Sequence, residues 1–123
     1  MKKILIIEDD SFLSEMYETK LTQSGFEVGT AFDGKTGLNK AKDGSYDLIL
    51  LDIVLPKMDG FEVLSEIKKP DSAIKETPVV LLTNLGQKSE VEKGIRLGAD
   101  EYIIKAHFTP TAVVDKIKRL FKE

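Results

Sequence analysis

The chain has 123 residues, a length that fits one ordinary domain with a core that needs no covalent staple. Its formal net charge is −3, with 18 basic and 21 acidic residues, a mixed surface that gives no support for strong nucleic-acid binding. It has no cysteine, which excludes disulfides and thiolate metal sites, and no apolar run approaches the roughly 20 residues that span a bilayer.

Met1-Lys2-Lys3 leads straight into a short apolar run and an acidic cluster, unlike a secretory leader, so a cytoplasmic protein without membrane contact is expected. Ile4 to Ile7 is predicted as the first strand. Ser11 to Ser24 has helical spacing, with Leu13, Met16, Tyr17 and Leu21 on one face and Gly25 as its stop. Phe26 to Ala31 is a weaker strand. A helix starts at Asp33-Gly34, runs through Leu38 and Ala41, and ends at Gly44. Leu48 to Leu51 is a continuous apolar strand of the buried kind. Asp59 to Lys69 is a helix with Val63, Leu64 and Ile67 inward, stopped by Pro70. A polar connection, Asp71 to Thr77, leads to Pro78 and the run Val79-Val80-Leu81-Leu82, which ends at Thr83. Lys88 to Leu97 is predicted as a helix with Val91 and Ile95 inward, ended by Gly98. Glu101 to Ile104 is the last strand. Thr109 to Lys122 is the last helix, with Val113, Ile117, Leu120 and Phe121 facing the core.

The repeat is strand then helix, about five times over. Continuous Val/Ile/Leu strands joined by helices imply a doubly wound five-stranded parallel sheet, covered on both faces, in an α/β three-layer sandwich. In such a sheet ligands bind at the carboxyl ends of the strands. Those ends carry complementary groups. The first strand runs into Glu8-Asp9-Asp10, the third into Asp52, the fourth into Thr83, and the last stops before Lys105. Two like charges about 4 Å apart repel by about 4 kcal/mol at an effective dielectric of about 20, so converging carboxylates need a cation. Clustered hard oxygens suit Mg²⁺, with Mn²⁺ as a substitute, and Lys105 supplies a second positive charge. Carboxylates, a hydroxyl and a lysine around such an ion suit phosphoryl transfer, with Asp52 as nucleophile.

Taken singly, each of these residues has an ordinary reading. Asp52 could be a turn residue, Glu8-Asp9-Asp10 could be acids complementing a helix dipole, and Asp10 or Ser11 could be a plain cap. Their joint placement at four strand ends carries the argument. His107, the only histidine, reads as a solvated loop residue, and Lys116, Lys118, Arg119 and Lys122 as a solvated helix face. A flavin carrier would need a Ser/Thr/Gly-rich phosphate loop where this chain has "EDDSF". A phosphatase of the Asp-x-Asp type is excluded by Asp52-Ile53-Val54.

The stretches "KKILIIEDDSFL", "DLILLDIVLPKMDGFEVL", "TPVVLLTN" and "GADEYIIK" resemble the receiver domain of bacterial response regulators, a CheY-like, flavodoxin-like fold, along essentially the whole chain. The resemblance implies a receiver over residues 1–123 with no output domain in the chain, either stand-alone or part of a longer regulator. It implies that Asp9 binds the metal directly, Glu8 through water, and Val54 through its backbone carbonyl, beside the phosphoacceptor Asp52. It implies that Thr83 and Lys105 contact the phosphoryl group, and that Tyr102 is the aromatic switch residue. Asp10 is not expected to touch the metal. The implied function is phosphoryl acceptance from a phosphohistidine on a sensor histidine kinase or histidine phosphotransfer protein. The domain catalyses its own phosphorylation and hydrolysis and is a switch rather than a turnover enzyme. Its output is a changed surface of the last two helices and last strand, read by a downstream protein or a fused output domain. The implied state is a monomer, with phosphorylation-dependent dimerisation through Asp100, Glu101 and Arg119 as the other possibility.

The chain departs from the family pattern at two places. Ala106 follows Lys105 where the family commonly has a proline in a cis bond, which leaves the Lys105-Ala106 bond open as cis or trans. Asn84 follows Thr83 where a small residue is usual. These departures favour an alternative, a pseudo-receiver that docks proteins without phosphorylation; intact Asp52, Thr83 and Lys105 oppose it. Val54 and Leu85 flank the site as apolar residues expected to exclude attacking water.

Overall fold

The apolar runs pair as parallel strands in a computed structural model that describes residues 1–122. The strands are β1 (Lys3–Ile7), β2 (Glu27–Ala31), β3 (Leu48–Leu51), β4 (Val79–Thr83) and β5 (Glu101–Ile104). Between and after them run α1 (Ser11–Gln23), α2 (Gly34–Asp43), α3 (Gly60–Ile67), α4 (Lys88–Arg96) and α5 (Pro110–Lys122). The sheet order is β2-β1-β3-β4-β5, all parallel, with Ile4 opposite Leu48 and Leu51 opposite Leu81. The doubly wound sandwich is thus the one the repeat implies. The order reverses between β1 and β3, which makes their carboxyl ends the crevice of the sheet.

Alternate side chains of each strand feed two cores. Leu5, Ile7, Ile49, Leu51, Val79 and Leu81 meet Leu38 and Ala41 of α2 and Val63, Leu64 and Ile67 of α3. Ile4, Ile6, Leu48, Leu50, Val80 and Leu82 meet Tyr17 and Leu21 of α1 and Val113, Val114 and Ile117 of α5. β3 is sealed on both faces, each of its four residues being at most 1% exposed. Truncating a leucine there to alanine costs about 2–5 kcal/mol.

Three helices are capped by aspartates at this same edge. Asp10 accepts from the backbone N–H of Phe12 (3.0 Å) and Leu13 (3.1 Å), and Asp33 from that of Thr36 (2.7 Å). Asp59 and Glu62 form a reciprocal capping box over α3. Each cap contributes about 1 kcal/mol. Asp59 therefore stands outside α3 rather than in it. The helix also ends early, at Ile67, ahead of Pro70, whose ring disfavours helical backbone in the residue before it; the Lys68 ammonium beyond the helix end donates to the carbonyls of Lys75 (3.0 Å) and Thr77 (2.8 Å). Phe26 lies outside β2, and Thr109 caps α5 by accepting from Ala112 N–H at 3.1 Å.

α4 corrects the sequence expectation. Ile95 is 50% exposed and Val91 only half-buried, while Gly94 is the buried residue. A Cβ at Gly94 would sit 2.7 Å from Leu81 Cδ1 and 3.1 Å from the Tyr102 ring. The missing side chain lets the helix ride close on the sheet with Gly94 facing inward, which leaves Ile95 turned outward.

Candidate functional site

The crevice assembles the acids from two strand exits. Glu8 follows β1, with its N–H held by Ala31 O at 3.0 Å. Asp52 follows β3, with its N–H held by Ile7 O at 3.0 Å. Both residues are buried, Glu8 at 3% and Asp52 at 6% exposure. Lys105, one residue past β5, brings its ammonium between them. It donates to Asp52 Oδ2 at 2.8 Å and to Glu8 Oε1 in a shorter contact. The other Asp52 oxygen, Oδ1, accepts from Ile53 N–H at 2.7 Å and from Val54 N–H at 3.4 Å. The other Glu8 oxygen accepts from Asp10 N–H at 3.1 Å.

Asp9 is exposed and completes the acidic group. Carboxylate oxygens of Glu8, Asp9 and Asp52 all lie within 4.8 Å of one another. That donor set is all hard oxygen, with one ligand at the surface, and fits a small divalent cation. Asp10 is not in the group; its carboxylate caps α1.

One ammonium faces two buried carboxylates, and the charges are unequal. Burial raises the Glu8 carboxyl above its ordinary value, against the hydrogen bond from Lys105, and the Asp52 charge adds to the rise. Burial pulls Lys105 down, but its hydrogen bonds to Asp52 and Glu8 outweigh it and hold the ammonium above the ordinary lysine value. The site therefore keeps its cation charged and holds an excess of negative charge that a metal would offset.

Thr83 ends β4 fully buried, and its Oγ1 accepts from Leu85 N–H at 3.4 Å. Tyr102 on β5 donates from its hydroxyl to Leu85 O at 2.5 Å. The loop after β4 is thus held on both sides, by a hydroxyl from its own strand and a phenol from the next. Burial raises the Tyr102 phenol. Val54 is 60% exposed at the rim, Leu85 is half-buried, and Asn84 and His107 are exposed. All peptide bonds among the described residues are trans, so Lys105 reaches both acids with a trans bond to Ala106.

The turn after Asp52 needs its glycine. A Cβ at Gly60 would lie 2.2 Å from Asp52 O and 2.5 Å from Ile53 Cα. Two features escaped the sequence reading. Lys57 in this turn has φ of 70°, a left-handed conformation rare for a lysine. Tyr17, read as a plain core residue, lines the underside of the site beside Glu8 and Asp52. Neither leaves a signal in hydrophobic periodicity.

Buried acids, a hydroxyl and a lysine at the carboxyl edge of a parallel sheet define a class: domains that carry a phosphoryl group on a strand-end aspartate. A family model described as the response regulator receiver domain matches residues 4–118. The chain is 36% identical over 121 residues to the probable transcriptional regulator ycf27 of Guillardia theta, covering 98% of this chain and 46% of that protein. The receiver domain of Francisella response regulator 1452 superposes with a TM-score of 0.90 at 29% identity, over 99% of this chain and 98% of the other. The BeF₃-activated receiver domain of DrrB, a Thermotoga maritima OmpR/PhoB homologue, gives 0.87 at 33% identity, over 100% and 99% of the two chains. This chain belongs to the response regulator receiver domain family, whose role is signalling by phosphorylation of an aspartate. The chain spans about half the length of the curated relatives it matches, 46% and 48% for two of them. No helix among the described residues is long and apolar enough to cross a membrane.

Proposed function

We propose that Asp52 accepts a phosphoryl group from a phosphohistidine on a sensor histidine kinase or histidine phosphotransfer protein. The observation that carries this reading is the Lys105 ammonium bridging Asp52 and Glu8 at the crevice, with Asp9 beside them. An Asp52 carboxylate oxygen attacks phosphorus, the P–N bond breaks, and its electron pair stays on the imidazole. Hydrolysis returns the site: water attacks phosphorus, the P–O bond to Asp52 breaks, and inorganic phosphate leaves.

Asp9 and Asp52 would hold Mg²⁺ or Mn²⁺ directly, Glu8 through a water, and Val54 through its carbonyl. The metal, when bound, neutralises charge on the phosphoryl oxygens. Lys105 does the same from the other side and keeps Asp52 oriented. The Thr83 hydroxyl turns from Leu85 N–H to donate to a phosphoryl oxygen, which frees the loop that Tyr102 holds. The surface of α4, β5 and α5 then changes its preference for a downstream protein or output domain.

Incubation with acetyl phosphate and Mg²⁺, followed by intact mass, tests this. The expected result is a gain of one phosphoryl group that Asp52→Asn abolishes. A chain that gains none under these conditions is instead a docking module that works without phosphorylation.

A further inference from the structure

Tyr17 lies in the second turn of α1, outside every stretch that points to the site. It is 3% exposed and packs in the core with Ile6, Leu50 and Leu82. Long side chains on a helix lean toward its N-terminus. α1 begins just after Asp10, at the carboxyl edge of the sheet, so the lean carries the phenol up beneath the crevice. There Tyr17, Glu8, Asp52 and Leu82 line one seam that has no room for a water molecule. Burial raises the phenol, and its oxygen feels the charges of Lys105, Glu8 and Asp52.

We propose that the Tyr17 ring is the dry floor of the charged triad, a positioning residue that keeps water from beneath Lys105, Glu8 and Asp52. This rests on the phosphoacceptor reading above. The attraction between an ammonium and a carboxylate scales inversely with the local dielectric. Water beneath the triad would weaken it up to about fourfold, from an effective dielectric of about 20 towards 80. The ammonium would then sit loosely on the oxygens it must serve, and a displacement of about 1 Å costs on the order of a hundredfold in rate. A leucine at this position is shorter than the phenol and leaves the top of the seam open. A phenylalanine keeps it closed.

The test measures the rate of phosphoryl acceptance from acetyl phosphate with Mg²⁺, by intact mass, alongside thermal melting. Tyr17→Leu is expected to slow acceptance about ten- to a hundredfold, and Tyr17→Phe to restore it to within a few-fold of the unaltered chain. Leu21→Ala truncates a fully buried residue one turn further along α1 and away from the seam. It is expected to lower the melting temperature and leave acceptance unchanged. Should Tyr17→Leu not fold, Tyr17→Ile, which also stops short of the phenol's reach, is measured in its place with the same expected slowing. Acceptance at the unaltered rate in a folded Leu or Ile variant overturns the proposal, as does equal slowing by Leu21→Ala. If the unaltered chain accepts no phosphoryl group, it is the phosphoacceptor reading that fails.

Discussion

Replacing Lys105 with methionine keeps most of the stem and removes the charge. The ammonium is the shared partner of Glu8 and Asp52, whose side chains are 4% and 8% exposed. Removing one partner of a buried ion pair costs about 3–5 kcal/mol, because the other charge is left uncompensated. Here two carboxylates are left. A loss of about 3 kcal/mol is expected at neutral pH, a large part of the roughly 5–15 kcal/mol that holds a domain together. Urea unfolding followed by circular dichroism, without divalent metal, measures it. The pH dependence has a definite sign. Lys105 is held above its ordinary value in the folded state, so its contribution is complete below the ordinary lysine range and is lost as pH rises through the folded value. The gap between the unaltered chain and Lys105→Met must therefore narrow in strong alkali. Adding Glu8→Gln to Lys105→Met should recover part of the loss. A cost below about 1 kcal/mol at neutral pH, or a gap that widens in alkali, would refute the reasoning.

Glu8→Gln alone should stabilise the metal-free chain. The folded Glu8 value lies above 4.5, so its contribution is complete below 4.5 and is lost as pH rises through the folded value. Melting curves of the two chains should coincide in acid and separate at neutral pH, with the glutamine variant higher. Gly60→Ala drives a methyl group into the Asp52 carbonyl and should cost about 3 kcal/mol or more. Gly25→Ala meets nothing within 4 Å and carries only the strain of a φ of 93°, about 1 kcal/mol. Thermal melts that rank the two the other way would contradict the close approach at Asp52. Val54→Asn should shorten the life of the phosphorylated chain several-fold, since Val54 stands 60% exposed at the rim where an attacking water arrives. Timing phosphate release after the donor is removed checks this, and an unchanged lifetime would remove Val54 from the argument.

The sequence by itself determined the strands, the helices, the doubly wound class and the residues at the strand ends. These are local properties: an apolar run of four or five residues between turn signals reads as a buried strand, and an Asp just before a helix is favoured as its cap. Helix faces were legible only where a large side chain marked them. α4 was misread because its inward residue is a glycine, which has no hydropathy to count. Only the tertiary structure decided that Lys105 bridges Glu8, 97 residues away, and Asp52 at once, through a trans bond to Ala106. Only it showed Tyr17 beneath the triad and Gly60 against the Asp52 carbonyl. The reason is geometric. Periodicity states which face of an element is buried, but what that face meets depends on strand order and on the distance between elements. Those are set by the packing of the whole sheet and its helices.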